Sequence, residues 1–301
     1  CYLWFVFSYF IGTSIVEWFY FKTFILLMND LFAHYIWFNG QIIEQSSCPQ
    51  ESLINRVSRR VSLFERFWCA STEIIFPGQV YKKIALQMAD YGLKLQYLES
   101  ETRFANEVQR LLVRNRAYRY SILHLLVGVV DDVQPFEMLW VEPRTEHPAV
   151  GRERFQVDVI ECASLPTEAV FQLPAVVNPL LHVMQREADA ENLDDGIILN
   201  NNGFVARALS GSLFALMANN RVFTPSVQAG APIDIVRSFV MLTLRRNAYE
   251  VVETEEFHLE LFDKATEVFS VGIENGCSAI RGVRDNRYFD RLRKRVVSEL
   301  Y

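Results

Sequence analysis

Two asparagine–glycine turns, one in each half of the chain, limit its possible folds most strongly because each calls for a pair of antiparallel strands. Residues 34–44 alternate around Asn39-Gly40, and a second hairpin is predicted across Asn201-Asn202-Gly203. Such turns need residues that accept positive φ between two apolar runs. Segments of helical periodicity alternate irregularly with these hairpins, so the sequence predicts an α+β or mixed α/β fold.

Helical periodicity is clearest over residues 80–93, which end near the C-cap candidate Gly92, and over residues 99–115. The second of these helices has start signals at Ser100 and one apolar face, formed by Phe104, Val108, Leu111 and Leu112. Residues 118–130 suit a buried strand, and a helix stays open there. Further strands are predicted over residues 155–161, 212–217, 249–253 and 267–271. Further helices are predicted over residues 178–190, 233–248, 258–263 and 287–300, the last burying Phe289, Leu292, Val296 and Leu300.

A polar stretch at residues 142–151 contains Pro143, Pro148 and Gly151, a composition typical of a link between domains. The chain has 301 residues, of which 50 % are apolar, enough for a substantial core. We therefore predict a small N-terminal α/β domain over residues 28–145 and a larger C-terminal domain over residues 150–301.

Residues 1–27 differ from the rest, being rich in aromatic side chains with only Glu17 and Lys22 charged. A membrane helix needs about 20 apolar residues, whereas the uncharged run here covers residues 1–16. A secretory signal would show a basic start and a small-residue cleavage site, which are not visible. Two interpretations stay open: upstream sequence read in frame ahead of Met28, or a membrane anchor.

Charge and cysteine usage exclude several classes of partner. The formal net charge is −6, the pI is near 5.5 and the positive charges are scattered, which argues against nucleic acid. Five cysteines lie far apart without a CxxC pair, which argues against a disulfide framework and indicates a reducing compartment. The five histidines show no metal-ligand spacing, which argues against a zinc site. A cytoplasmic location is therefore predicted, with membrane tethering through residues 1–27 as the alternative.

Several motifs follow one another in the C-terminal half. Residues 187–205 lead into the Asn-Gly turn, residues 212–225 end in Thr224-Pro225, and Arg237 and Glu267-Val268-Phe269 come after them. In this order they resemble the class IV aminotransferases, pyridoxal-phosphate enzymes of fold-type IV that include branched-chain and D-amino-acid aminotransferases and aminodeoxychorismate lyase. The resemblance implies the two-domain fold-type IV architecture, a homodimer, pyridoxal phosphate as cofactor, and amino-group transfer to a 2-oxo acid.

The resemblance also implies a catalytic lysine three residues before an Asn-x-Leu motif at the head of a helix. Asn178-Pro179-Leu180 places that position on Ala175, and no lysine occurs between Leu95 and Asp263. A methyl group can neither form the Schiff base with the cofactor aldehyde nor carry a proton between substrate and cofactor. We therefore expect the catalytic lysine to be lost.

Other cofactor positions implied by the resemblance are substituted as well. Arg207 stands where the family has a glutamate beside the pyridine nitrogen, and Ser212 stands for an asparagine. Asp234 adds negative charge where a phosphate would lie at a helix N-terminus. The remaining positions are Ile235 and Val236 for the rest of a Gly-Ile-Thr triplet, Val271-Gly272 for a Thr-Asn pair, and Arg56 for the phosphate arginine.

Simpler structural roles are expected for other polar residues. Glu267 and Arg237 are expected to pair with neighbouring residues rather than with a ligand. His182 is expected in the core. Asp194-Asp195 is expected in a turn rather than at a metal. Arg56, Arg59 and Arg60 are expected to form a solvated basic face rather than an anion site.

Apart from a membrane-tethered accessory protein, which would require residues 1–27 to be genuine, two functional hypotheses follow. The first is a catalytically impaired or non-catalytic member of the family. The second is an active transaminase or lyase with an atypical site, in which another amine, such as that of Lys83 or Lys264, serves.

Overall fold

The computed structural model describes residues 34–48, 62–90, 94–130, 134–167 and 174–300. The segment 1–27, the basic cluster at Arg56, Arg59 and Arg60, and the C-cap predicted at Gly92 lie outside the described residues. Within these ranges, no helix is long and apolar enough to cross a membrane.

The N-terminal sheet begins with the predicted hairpin. Asn39 and Gly40 have φ angles of 45° and 89°, and the hairpin register pairs Tyr35 with Glu44. The strands are β1 (Tyr35–Phe38), β2 (Gln41–Glu44), β3 (Ser62–Ala70), β4 (Glu73–Ile74), β5 (Tyr120–Val130) and β6 (Gln134–Arg144). Their order is β2-β1-β6-β5-β3-β4, so the segment for which strand and helix were both open is a strand.

The two faces of this sheet contact different partners because successive side chains of a strand point to opposite sides. We call the face of Leu63, Phe67 and Cys69 the helix-covered face, because helices α1 (Pro77–Asp90) and α2 (Glu101–Arg114) pack there. The Ser100 side chain caps α2 by accepting a hydrogen bond from the Arg103 amide at 3.2 Å. The predicted apolar face of α2 is buried: Phe104, Val108, Leu111 and Leu112.

The opposite face, which carries Phe64, Arg66 and Trp68 and meets the C-terminal half, is called the inner face. Trp68 shares a core cluster with residues of the C-terminal half, and its indole N–H donates to the Ile273 carbonyl at 2.7 Å. Phe76 stacks on Phe239 with ring centroids 3.7 Å apart. The two halves of the chain therefore share an apolar contact surface.

The C-terminal half contains a three-stranded sheet, a six-stranded sheet and a short strand pair. The strands are β7 (Val150–Arg154), β8 (Val157–Leu165), β9 (Asp195–Asn200), β10 (Val205–Ala208), β11 (Ser212–Met217), β12 (Arg221–Pro225), β13 (Glu250–Thr254), β14 (Ala265–Gly272), β15 (Gly276–Ile280), β16 (Gly282–Val283) and β17 (Asn286–Arg287). The sheet orders are β10-β9-β8, β13-β12-β11-β14-β15-β7 and β16-β17. Mixed α and β content is thus confirmed.

Four helices complete the described part of the C-terminal half: α3 (Pro174–Ala190), α4 (Ile235–Arg246), α5 (Leu261–Lys264) and α6 (Leu292–Ser298). α3 buries Met184 and Ala188 against the three-stranded sheet. α4 buries Val236, Val240 and Leu244 in the core cluster that includes Trp68.

Several predicted details are wrong. α3 begins at Pro174 rather than at Asn178, because proline is itself well suited to the first position of a helix. His182 is exposed rather than in the core, since the buried side of α3 carries Met184 and Ala188. The strand predicted over residues 155–161 is β8, which begins at Val157 and continues to Leu165, and the separate strand β7 before it was not predicted.

The C-terminal helix is shorter than predicted. It begins at Leu292, and Phe289 precedes it with 65 % of its side chain exposed instead of lining the apolar face. The predicted link is also shorter, because β6 extends to Arg144 and β7 starts at Val150.

Candidate functional site

Arg66 links the inner face of the N-terminal sheet to the C-terminal half. Its guanidinium forms an ion pair with Glu274. Burial lowers the pKa of Arg66, while the negative charges of Asp234 and Glu142 act in the opposite direction. Arg66 therefore lies within electrostatic range of the start of α4.

Arg207 lies in β10, which pairs with the buried strand β9. The side chain is half-buried, and its Nε donates to the Ala208 carbonyl at 3.1 Å. Desolvation lowers the pKa of Arg207 to about 10, against the charges of Asp234 and Asp195, which raise it. Arg207 is still a cation at neutral pH, with two carboxylates as counter-charges.

Asp234 is the N-cap of α4. Its Oδ1 accepts a hydrogen bond from the Val236 amide at 2.8 Å, and its backbone is extended, as an N-cap requires. A helix N-terminus carries partial positive charge and free N–H groups that attract anions. At α4, the protein's own carboxylate occupies this position, and Ile235 and Val236 form the first turn.

Asp195 is buried at the start of β9, so the prediction that it lies in a turn is wrong. Its carboxylate accepts hydrogen bonds from the Ser210 hydroxyl and, at 3.1 Å, from the Ser210 amide. The Ser210 hydroxyl also lies 2.8 Å from the Ser270 hydroxyl. Burial raises the pKa of Asp195, while the Ser210 hydrogen bond and the nearby charge of Arg154 favour ionisation.

The Ser210-Gly211 turn lies against Val271-Gly272 of β14. A Cβ added to Gly211, which has φ +150°, would lie 2.0 Å from the Val271 carbonyl oxygen. A Cβ added to Gly272 would lie 2.1 Å from the Ser210 carbonyl oxygen. Backbone thus fills the space around the positions expected to hold a Thr-Asn pair.

The other predicted positions are only partly described. Ala175 lies within α3, close to its start, and Arg56 lies outside the described residues. Ser212 is fully buried at the start of β11 and pairs with Val271, and its hydroxyl has no hydrogen-bond partner among the described residues.

Lys83 and Lys264, the two amines considered as substitutes, lie in α1 and α5. Lys83 Nζ donates to both oxygens of Glu65, at 2.9 and 2.8 Å. Glu65 alternates with Phe64 and Arg66 along β3, so this ion pair is on the helix-covered face. Lys264 is exposed at the end of its four-residue helix.

Arg237 and Glu267 bond to neighbours, as predicted. Arg237 donates to the Pro225 carbonyl at 2.8 Å and to Glu253 at 3.1 Å. Glu267 is buried, and its carboxylate accepts hydrogen bonds from three successive amides at the start of α6, those of Arg291, Leu292 and Arg293, at 2.7–2.9 Å.

The inner face also carries a histidine–glutamate pair that was not predicted from the sequence. His124 Nε2 lies 2.9 Å from Glu142 Oε2, and the His124 ring stacks on Trp140 with centroids 4.9 Å apart. Burial lowers the pKa of His124, and the hydrogen bond to His124 lowers the pKa of Glu142. The alternation of His124 in a predicted strand was the available signal, but Glu142 was assigned to the link.

Among the described residues, no group of three or more His, Cys, Asp or Glu side chains is arranged to hold a metal ion.

These contacts do not fit pyridoxal phosphate. Asp234 occupies the helix N-terminus expected to receive the phosphate, and Arg207 places a cation where a carboxylate is expected beside the pyridine nitrogen. Gly272 has no room for the asparagine side chain that the resemblance implies there, because its Cβ would lie 2.1 Å from the Ser210 carbonyl oxygen.

Solved structures of branched-chain aminotransferases are similar to this chain over most of its length. The Escherichia coli enzyme is 18 % identical, with a TM-score of 0.72 over 88 % of this chain and 92 % of that chain. The Thermobaculum terrenum enzyme in its PLP form is 16 % identical, with a TM-score of 0.71 over 89 % and 92 %. A 4-amino-4-deoxychorismate lyase of Legionella pneumophila is 14 % identical, with a TM-score of 0.68 over 81 % and 91 %.

No protein-family model and no curated protein matches the chain. The similarity is thus one of three-dimensional structure at low sequence identity, and it confirms the resemblance predicted from the motifs. The chain has the fold-type IV architecture of the class IV aminotransferases, in a divergent form.

Proposed function

We propose that this chain is a class IV aminotransferase-like protein that has lost covalent pyridoxal-phosphate chemistry, a pseudoenzyme of its family. The residue at the position of the Schiff-base lysine carries the proposal. That residue is Ala175, and the nearest lysines along the chain are Lys94 and Lys264.

An amine at this position would have two tasks in such an enzyme. It would form an imine with the cofactor aldehyde, and it would carry a proton between the substrate α-carbon and the cofactor. Both tasks need a nitrogen lone pair close to the cofactor. The side chain of Ala175 has none.

The surroundings of Lys83 support the same conclusion. Its ammonium group is paired with both oxygens of Glu65 on the helix-covered face, whereas Arg66 and Trp68 mark the face that meets the C-terminal half. To serve as the catalytic amine, Lys83 would have to leave a buried carboxylate and cross the sheet. Burial of that carboxylate without a partner is costly.

Arg207 offers a second, independent argument. A cation beside the pyridine nitrogen favours the unprotonated ring, and an unprotonated ring withdraws electrons less well. This substitution would weaken any residual chemistry even if another amine reached the cofactor.

The proposal extends to the organisation of the protein. We propose a small domain over residues 28–145, a larger domain over residues 150–301, a homodimer, and a cytoplasmic location. The support for the two domains and the homodimer is the architecture shared with the branched-chain aminotransferases, and the support for the location is the wide spacing of the cysteines.

The test is reductive trapping on the purified full-length chain. The protein is mixed with pyridoxal phosphate, its visible absorbance is recorded, sodium borohydride is added, and intact mass and peptide mapping follow. We expect no Schiff-base absorbance and no stoichiometric adduct. A stoichiometric adduct on any lysine would refute the proposal.

Turnover separates the proposal from the alternative of an active enzyme with an atypical site. Glutamate or a branched-chain amino acid is supplied with a 2-oxo acid and the cofactor, and amino-group transfer is followed. Lys83→Gln and Lys82→Gln serve as matched variants because Lys82 is exposed on the same helix. Turnover that Lys83→Gln abolishes and Lys82→Gln preserves would establish the alternative.

A further inference from the structure

We infer that Asp234 excludes phosphate-bearing ligands from the start of α4 by taking the position of the phosphate itself. The inference rests on the proposed function for the identity of this site and deepens it. It assigns to one side chain the specificity against phosphate monoesters and inorganic phosphate.

The hydrogen bond to Val236 carries the first step. α4 has twelve residues, and its free amides would ordinarily attract an anion. The Asp234 carboxylate accepts from the Val236 amide at 2.8 Å, so one of the amides available to a phosphate oxygen is already engaged. The favourable interaction between an anion and the helix dipole is likewise already realised inside the protein.

The arginines carry the second step. Arg66 of β3 is ion-paired with Glu274, and Arg207 of β10 donates from its Nε to the Ala208 carbonyl at 3.1 Å, so both arginines already have partners. Burial lowers the pKa of both, and the negative charge of Asp234 acts in the opposite direction. A phosphate entering here would meet a like charge at the helix end and arginines that are already engaged.

Replacing Asp234 with glycine should therefore uncover an anion site. Glycine is tolerated at N-cap positions at little cost in stability, so the helix is retained while the carboxylate is removed. Asp234→Asn separates two effects, because asparagine keeps the acceptor for the Val236 amide and removes only the charge. Ser100→Gly, at the N-cap of the fourteen-residue helix α2, is the matched control.

The experiment is calorimetric titration of the full-length wild type and these variants with inorganic phosphate, at constant ionic strength set with chloride. We expect Asp234→Gly to bind phosphate about tenfold or more tightly than the wild type, as gain of a helix-terminus anion site implies. Asp234→Asn should fall between the two, and Ser100→Gly should match the wild type. Thermal unfolding of each variant checks that it is folded.

Two results would overturn the inference: phosphate binding by the wild type as tight as by Asp234→Gly, or no gain in either Asp234 variant. If the glycine variant does not fold, the asparagine variant alone decides, because loss of the charge should by itself increase phosphate affinity. Inorganic phosphate has no aldehyde and cannot form a Schiff base with a lysine. The result of the titration therefore does not depend on whether the protein has a catalytic amine. A borohydride adduct in the wild type would refute the proposed function and leave the role of Asp234 to this titration.

Discussion

The two faces of the N-terminal sheet show how the same strands serve different purposes. The helix-covered face is mostly apolar core, with the Lys83–Glu65 ion pair and the buried Glu137 carboxylate, which accepts hydrogen bonds from the Tyr97 and Leu98 amides. The inner face carries a row of polar and aromatic groups, in which Arg66 is opposite His124, and His124 is opposite Trp140. Lys83, one of the two amines considered as substitutes for the catalytic lysine, is thus on the face that provides stability.

The comparison shows that residue type alone does not locate a site. Glu65 and Arg66 are adjacent in sequence and have opposite surroundings, because alternate side chains of β3 point to opposite sides. Substitutions on the helix-covered face should mainly change the free energy of unfolding. Substitutions on the inner face should mainly change the contact between the two halves and the pH dependence of stability.

The largest expected effect is loss of the core on the helix-covered face. Phe104 is fully buried and packs edge-on against Phe67 with centroids 5.3 Å apart. Phe104→Ala should lower the free energy of unfolding by about 4 kcal/mol, measured by urea denaturation. Val113→Ala, at an exposed position of α2, should change it little. A loss below about 1 kcal/mol in Phe104→Ala would contradict this assignment of the core.

Breaking the ion pair on the same face should have the next largest effect. Lys83→Met leaves the buried Glu65 carboxylate without its cation and should cost about 2 kcal/mol, since Lys83 keeps some contact with water. Lys83→Met/Glu65→Leu should recover most of this loss, and Lys82→Met should be nearly neutral. A full double-mutant cycle by urea denaturation measures the coupling. A coupling energy near zero would show that the pair is not structural.

On the inner face, Trp68→Phe should weaken the contact between the two halves. It removes the indole N–H that donates to the Ile273 carbonyl, which should cost about 1 kcal/mol and leave that carbonyl unsatisfied. Hydrogen exchange should increase in β14 and β15 more than in α2. Equal protection in wild type and variant would mean that the hydrogen bond does not hold the halves together.

The smallest expected effect is the pH dependence of stability that comes from His124 on the inner face. Burial lowers the pKa of His124 below its ordinary 6.5, so the folded state binds fewer protons than the unfolded state just below that pH. Stability should therefore decrease as pH falls from about 6.5 toward the folded pKa, by less than about 1 kcal/mol.

His124→Gln should flatten this pH dependence, measured as the denaturation midpoint at a series of pH values. Burial also lowers the pKa of His147, so His147→Gln is the control that separates the two contributions. The pKa of Glu142 is lowered too, and its stabilising contribution is lost only at more acidic pH. An unchanged slope in His124→Gln would remove His124 as the cause.

Elements with local signals could be predicted from the sequence. The Asn39-Gly40 hairpin and α2 follow from a turn pair and from a capping serine with an apolar period, which act over a few residues. The start of α3 could not be chosen in the same way, because both Pro174 and Pro179 suit an early helical position.

Contacts between residues far apart in sequence explain most of the other differences between the predicted and the observed elements. The start of α6 is set by Glu267, which accepts hydrogen bonds from amides more than twenty residues away. Hydrophobic periodicity contains no information about this contact, so the predicted helix began too early and included Phe289.

The same reason governs the candidate site. The sequence could name Arg207 and Asp234 as substituted positions, because the motifs around them are local. It could not show that their charges interact, since Arg207 and Asp234 belong to different elements, β10 and the start of α4. The His124–Glu142 pair was missed because its partners lie on adjacent strands.

The turn at Gly211 bears on any attempt to engineer a transaminase from this chain. A lysine introduced at Ala175 would supply the missing nitrogen, yet the main chain of Ser210-Gly211 would still press against Val271-Gly272. An asparagine at Gly272 would place its Cβ 2.1 Å from the Ser210 carbonyl oxygen, so exchanging side chains alone cannot rebuild the Thr-Asn pair. Restoring that pair would require a redirected connection between β10 and β11, which is a change of backbone path and not of chemistry.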